Sequence, residues 1–156
     1  MKISYLVTVC YEIEELKRLI NILQKLILDS DEIVIFMDSG RWVEKVRDYG
    51  IKMSDEYDNI YFDKAPLDND FGTFKNAAMD ACSGEYVFHF DADEYPHEFL
   101  IQNLHDILES NPVDVLKVPR INTVEGITQA HIQAWRYTIN DRGWVNFPDY
   151  QDRIFI

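Results

Sequence analysis

The sequence has few of the residues that mark special classes of protein. Its 156 residues include 2 cysteines, 6 glycines and 5 prolines, which excludes a disulfide scaffold, a collagen-like repeat and a Gly/Pro-rich linker. No apolar run approaches the ~20 residues of a membrane-spanning helix. The apolar stretch over residues 1–10 is too short for a signal peptide and has no small-residue cleavage site. We therefore expect one cytoplasmic domain over residues 1–156, large enough to bury a core.

Basic residues are also scarce. Lys and Arg number 15 against 28 Asp and Glu, which gives a formal net charge of −13 at pH 7. Because this excess repels a polyanion, we expect no nucleic acid partner. A phosphate-bearing ligand is also repelled unless a cation intervenes, which agrees with a metal site. Cys10 and Cys82 lie on different predicted elements without metal-ligand spacing, and we expect both to be reduced.

Strands and helices are predicted to alternate along most of the chain. Apolar runs predict strands over residues 3–9, 31–38, 60–63, 86–90 and 113–121. Helical spacing predicts helices over residues 12–28, 41–49, 70–82 and 98–109. Gly50 is expected to stop the second helix. This order predicts a parallel sheet with right-handed crossovers. Residues 127–140 fit either a helix or a pair of strands.

Three acids follow the strand predicted over residues 86–90, at the edge where open α/β sheets bind their ligands. They are Asp91, Asp93 and Glu94. Because only Ala92 separates the two aspartates, both carboxylates can turn toward one point and offer oxygens to Mg²⁺ or Mn²⁺. Two other interpretations stay open. Asp93 or Glu94 can cap the helix that follows, and Asp-x-Asp occurs often by chance in so acidic a chain.

Other polar and aromatic residues also have two interpretations. Asp38 ends the second predicted strand, where it is either a ligand-facing acid or a turn residue. Lys75 either faces a phosphate or is a solvated surface lysine. The pattern favours His89 as a hydrogen-bonded core histidine over a metal ligand. Core packing of the C-terminal region is favoured for Trp135 and Trp144, with a sugar-stacking platform as the alternative.

Five stretches of the sequence, in this order, resemble family 2 glycosyltransferases of the GT-A fold. They are residues 7–12, 37–40, 70–78, 83–94 and 147–155. The last two together are similar to the branch that decorates lipopolysaccharide cores. The resemblance implies a Rossmann-like three-layer α/β/α sandwich with a mostly parallel central sheet. It also implies a nucleotide-sugar and metal-binding half over residues 1–95 and an incomplete acceptor-side half over residues 96–156.

The resemblance implies roles for individual residues as well. The residues implied to bind the nucleotide sugar are Thr8, Cys10, Tyr11, Glu12, Asp38, Lys75, Asp91 and Ala92. Among them, Asp38 is expected to accept a hydrogen bond from the base, and Lys75 stands where the family often has arginine. Asp91 and Asp93 are the implied ligands of Mn²⁺ or Mg²⁺, with Asp91 also near the ribose.

The implied reaction transfers a hexosyl group with inversion from a UDP-sugar to a glycan or lipid-linked saccharide. Such a transfer needs a general base for the acceptor hydroxyl. In the related branch this base follows the Pro-Asp-x-Gln-x-Arg stretch, and the sequence ends at Ile156 before that place. Asp149 and Asp152 are the nearby substitutes. The alternative is therefore a nucleotide-sugar binding module that has lost its base.

Two other classes of metal-dependent enzyme fit the sequence less well. An Asp-x-Asp phosphatase usually has a threonine after the acid pair, whereas Glu94 and Tyr95 follow it in this chain. A nucleotidyltransferase is expected to have a glycine-rich phosphate loop after the first strand, and residues 8–11 contain no glycine.

Overall fold

The computed structural model describes residues 1–41 and 43–156. Its strands are β1 (Ile3–Val9), β2 (Glu32–Asp38), β3 (Ile60–Ala65), β4 (Tyr86–Asp91), β5 (Val115–Asn122) and β6 (Val145–Phe155). Its helices are α1 (Ile13–Leu26), α2 (Glu44–Glu56), α3 (Phe71–Asp80), α4 (Glu98–Ser110) and α5 (Gln129–Trp135). None of the helices in the described part of the chain is long and apolar enough to cross a membrane.

The strands form one sheet in the order β3-β2-β1-β4-β6-β5. The first four strands are parallel, and β6 runs antiparallel to both of its neighbours, β4 and β5. The central strands β1 and β2 are covered on both faces, which explains why they are buried along their whole length. The predicted α/β fold with a mostly parallel central sheet is confirmed.

Two apolar clusters lie on opposite faces of this sheet. The larger cluster joins the apolar faces of α1, α2 and α4 to alternate residues of the strands, such as Tyr5, Ile35 and Phe88. The smaller cluster lies under α3 and includes Phe36 and Phe74, whose rings meet edge to face at 5.3 Å. Because successive strand residues point to opposite faces, β1, β2 and β4 each supply both clusters. The result is three layers, helix, sheet and helix.

The prediction that Gly50 stops the second helix is wrong. The helix α2 continues to Glu56, and Gly50 is buried in its interior. A Cβ atom at this position would lie 2.2 Å from the ring of Phe62 on β3. Glycine is therefore required because the helix approaches the sheet closely there. Trp42, which falls within the helix predicted over residues 41–49, lies outside the described residues.

The helical alternative is confirmed for part of the region over residues 127–140. It contains the short helix α5, which begins with a capping box between Thr128 and His131. A bridge between Ile139 and Val145 follows. No side chain of α5 is buried, and Trp135 is 55% exposed. Core packing, the favoured interpretation of Trp135, is therefore wrong.

Candidate functional site

Polar residues replace apolar ones along the α3 face of the sheet as the strands approach their carboxyl ends. The apolar cluster under α3 takes one row of residues from β1, β2 and β4. Two positions further along the same strands stand Thr8, Asp38 and His89, all of them buried. Residues two apart on a strand share a face. The core under α3 therefore ends in a row of polar groups.

A cleft of about 500 Å³ opens at this edge of the sheet. Its lining includes every residue that the sequence assigned to donor or metal binding: Thr8, Cys10, Tyr11, Glu12, Asp38, Lys75, Asp91, Ala92 and Asp93. The structure thus brings these residues together, and their roles as ligands stay predictions. Two further lining residues, Arg41 and the exposed Phe71, were not singled out from the sequence. In the sequence, Arg41 lies three residues after Asp38 and Phe71 is the first residue of α3, and these positions could have identified both as residues of the site.

Asp38 uses one of its oxygens to hold the backbone around the cleft. Its Oδ1 accepts hydrogen bonds from the backbone N–H groups of Gly40 at 2.8 Å and Leu67 at 3.0 Å. The predicted turn role is confirmed for this atom. Its Oδ2 has the thiol of Cys10 at 3.8 Å as its partner among the described residues. This second oxygen is the one that is consistent with the predicted contact to a base.

The loop after β1 is closed by Glu12. Its Oε2 accepts hydrogen bonds at 3.0 Å from the backbone N–H groups of Cys10 and Tyr11. Burial and the nearby charges of Asp38 and Glu12 raise the pKa of the Cys10 thiol. Cys10 is therefore protonated at neutral pH, which does not suit a nucleophile.

Asp91 lies among hydrogen-bond donors and positive charges. Its Oδ1 accepts a hydrogen bond from the Thr8 hydroxyl at 3.0 Å and lies 3.4 Å from Lys75 Nζ. Its Oδ2 lies 3.7 Å from Arg153 Nη1. Burial acts to raise the pKa of Asp91, but Lys75, the Thr8 hydroxyl and Arg153 together hold it below its ordinary value. Asp91 is therefore ionised at neutral pH.

His89 is buried beside Asp91, where its Nε2 lies 3.0 Å from Thr8 Oγ1 and 3.1 Å from Lys75 Nζ. Burial, followed by the charges of Lys75 and Arg153, lowers the pKa of His89 to about 4. The ring is therefore neutral at neutral pH and accepts a hydrogen bond from Lys75. The prediction of a hydrogen-bonded core histidine is confirmed.

Asp93 is exposed at the mouth of the cleft. It does not cap α4, because that helix begins at Glu98 and its N-terminal N–H of Phe99 donates to His97 Nδ1. Among the described residues, no donor or cation is paired with the Asp93 carboxylate. Both oxygens are open to a ligand.

The acids at the cleft fit a hard cation that brings other ligands with it. Within residues 1–41 and 43–156, no group of three or more His, Cys, Asp or Glu side chains could hold a metal ion alone. However, Mg²⁺ is usually bound by one or two carboxylates together with waters and phosphate oxygens of a substrate. Asp91 and Asp93 supply such a pair of carboxylates.

The two predicted base candidates lie outside the lining of the cleft. Asp149 accepts hydrogen bonds from Arg120, Asn122 and Gln151 at 2.7–3.0 Å. The bond from Asn122, followed by those from Arg120 and Gln151, holds the pKa of Asp149 below its ordinary value, which weakens it as a base. Asp152 is exposed and pairs with Lys117 at 3.3 Å. The base role of either acid stays a prediction.

Comparisons with known proteins agree with this geometry. The family model described as "Glycosyl transferase family 2" matches residues 4–154. Among solved structures, TarS of S. aureus has a TM-score of 0.66 and 21% identity, over 83% of this chain and 23% of that chain. TarS 1-349 in complex with UDP has a TM-score of 0.63 and 21% identity, over 82% of this chain and 38% of that chain.

The complex of TarS 1-349 with UDP-GlcNAc has a TM-score of 0.59 and 22% identity, over 82% of this chain and 36% of that chain. At this level of identity the likeness concerns the fold. This chain thus spans less than half the length of the TarS chains that it matches. No curated protein sequence matches it significantly.

Proposed function

The chain belongs to glycosyl transferase family 2, and we propose that it transfers a sugar with inversion from a UDP-sugar to a hydroxyl acceptor, with Mn²⁺ or Mg²⁺. The observation that carries the proposal is the cleft at the carboxyl edge of the sheet, where acids from β2 and β4 meet Lys75 and Arg41. The TarS structures with UDP and UDP-GlcNAc support a donor of this class. We propose a glycan or lipid-linked saccharide as acceptor, from the resemblance to the lipopolysaccharide-core branch.

The residues of the cleft divide between the parts of such a donor. Asp38 Oδ2 and the loop over residues 8–12 bind the nucleoside. Lys75 and Arg41, which carry positive charge in an acidic chain, face the diphosphate. Thr8 and His89 hold Asp91 and Lys75 in place through the hydrogen bonds described above, so the polar row is ordered before a ligand arrives.

Asp91 and Asp93 are the residues that would hold the cation. When bound, it would supply Lewis-acid stabilisation of the diphosphate that leaves as the acceptor attacks the sugar. Asp91 is already ionised, and the Asp93 carboxylate has no partner among the described residues. Within the described part of the chain, the Asp93 carboxylate therefore has no protein partner to give up before it coordinates a metal.

The metal-dependent donor site is tested by calorimetric titration of UDP and UDP-glucose, once with Mn²⁺ and once with EDTA. We expect binding that requires the metal. Failure of both ligands to bind in either condition would contradict the proposal.

A second candidate function is a binding module that holds a nucleotide sugar without transferring it. It is favoured by the positions of Asp149 and Asp152, which are bound to other side chains outside the cleft lining. Release of UDP from UDP-sugar in the presence of saccharide acceptors distinguishes the two. Metal-dependent binding without release would favour the module.

A further inference from the structure

The acids after β4 lie in a tight turn that is fixed on both sides. Within it, the N–H of Glu94 donates to the carbonyl of Asp91 at 2.9 Å. The N–H of Ala92 donates to the carbonyl of Thr8 on β1 at 3.0 Å. The N–H of Asp91 donates to Oε2 of Glu94 at 3.3 Å. Asp93 is the exposed residue of this turn, so its direction depends on these bonds.

The other carboxylate oxygen of Glu94 connects the turn to the antiparallel strands. Its Oε1 accepts a hydrogen bond from Arg153 Nη2 on β6 at 2.5 Å and lies 3.5 Å from Arg120 Nη1 on β5. The side chains of Glu94 and Arg153 are 22% and 12% exposed. A charge-assisted pair with so little water around it holds its geometry better than a surface ion pair.

Arg153 contacts both ends of the turn. Its Nη1 lies 3.7 Å from Asp91 Oδ2 and 3.5 Å from His89 Nδ1, while its Nη2 bonds to Glu94. Arg153 is therefore shared between the two acids. If Glu94 were removed, Asp91 would be the one carboxylate still paired with Arg153 in the described part of the chain, and the guanidinium would compete with a cation for it.

We propose that Glu94 is a positioning residue for metal-dependent donor binding. It orients Asp93 by closing the turn, and it takes the shorter of the two carboxylate contacts of Arg153, which leaves Asp91 less closely paired and available to the cation. The inference rests on the proposed function and adds to it a residue to which neither the acid pair nor the resemblance gave a role. Loss of a residue that supports metal ligands typically costs ~10–100-fold in metal affinity or activity.

The experiment compares Glu94→Ala and Glu94→Gln with wild type and with Glu125→Ala, a glutamate on an exposed loop. UDP affinity is measured with Mn²⁺ and with EDTA, and Mn²⁺ affinity in the presence of UDP by electron paramagnetic resonance. We expect Glu94→Ala to weaken both Mn²⁺-dependent affinities ~10–100-fold, while with EDTA neither the variant nor wild type binds UDP. Glu94→Gln should lie between, because its one amide oxygen can accept only one of the two hydrogen bonds, from the Asp91 N–H or from Arg153, and it lacks the charge.

Urea unfolding of each variant shows whether the fold is kept. If Glu94→Ala does not fold, Glu94→Gln decides, since it preserves the shape of the side chain. Folded variants that bind Mn²⁺ and UDP as tightly as wild type would overturn the positioning role alone. A wild-type chain that binds no UDP with Mn²⁺ would overturn the proposed function, and this inference with it.

Discussion

Both edges of the parallel sheet carry acids, and Glu32 at the amino edge contrasts with Asp93 at the carboxyl edge in whether the carboxylate has partners. At the amino edge, Glu32 is 2% exposed and accepts hydrogen bonds at 2.5–2.7 Å from Lys2, Ser4 and Ser83. At the carboxyl edge, Asp93 is exposed and has no such partner in the described residues. Glu32, with both oxygens occupied, holds the fold together, whereas the open oxygens of Asp93 can bind a ligand.

Asp31 gives the amino edge a second example. It is 1% exposed, and its two oxygens accept from the N–H of Ile3 at 3.0 Å and contact His105 Nε2 at 2.8 Å. It joins the start of β1 to α4. Asp38, at the other end of β2, satisfies only Oδ1 in this way. The β2 strand thus begins beside two acids with structural partners and ends with one whose second oxygen contacts only the Cys10 thiol among the described residues, which agrees with the proposed contact to a base.

The largest effect is expected from Asp93→Ala. This change should abolish Mn²⁺-dependent UDP binding, because it removes the carboxylate that has no structural partner, and it should leave the unfolding midpoint unchanged. Calorimetry and urea unfolding check the two expectations, with Asp141→Ala as a control at another exposed loop aspartate. If Asp93→Ala binds UDP with wild-type affinity in Mn²⁺, the unpaired carboxylate of Asp93 is not needed for donor binding, and the proposed functional difference between the two edges fails.

The reverse result is expected for Glu32→Ala. It leaves the hydrogen-bond donors of Lys2, Ser4 and Ser83 without their shared acceptor, and breaking a buried charged network of this kind costs about 3 kcal/mol. The free energy of unfolding should fall by that amount, while the UDP affinity of the folded fraction stays the same. A stable variant with weakened UDP binding would show that the two edges are not separate in function.

The pH dependence of stability sharpens the same contrast. Burial opposes ionisation of Glu32, but the hydrogen bonds from Lys2, Ser4 and Ser83 prevail and lower its pKa from 4.5 to about 2. Its contribution to stability is therefore complete above pH 4.5 and is lost as the pH falls toward 2. We expect the unfolding midpoint of Glu32→Gln to fall less steeply than that of wild type between pH 5 and 3. Parallel curves for the two proteins would contradict this assignment.

The part of the site that local pattern controls was predictable from the sequence. Nearly continuous apolar runs predicted the parallel strands, and parallel strands bring Asp38 and Asp91 to one edge. The contacts that tune these acids were not predictable, because their partners come from distant segments. Glu94 meets Arg153 across 59 residues. Likewise, the residue at position 50 of α2 is glycine because the ring of Phe62, on β3, occupies the space that a side chain would need.

Asp149 lies near the carboxyl edge, but both of its oxygens accept hydrogen bonds, as those of Glu32 do. Its partners Arg120 and Asn122 lie on β5, where Arg120 is directly opposite Asp149 in the register. A general base contributes ~10²–10⁴-fold to the rate. With its oxygens bound in this way, Asp149 resembles Glu32 more than Asp93, and we expect Asp149→Asn to reduce UDP release by less than ~10-fold. A larger loss of turnover, with UDP affinity unchanged, would instead identify Asp149 as the base and show that its hydrogen bonds rearrange when an acceptor binds.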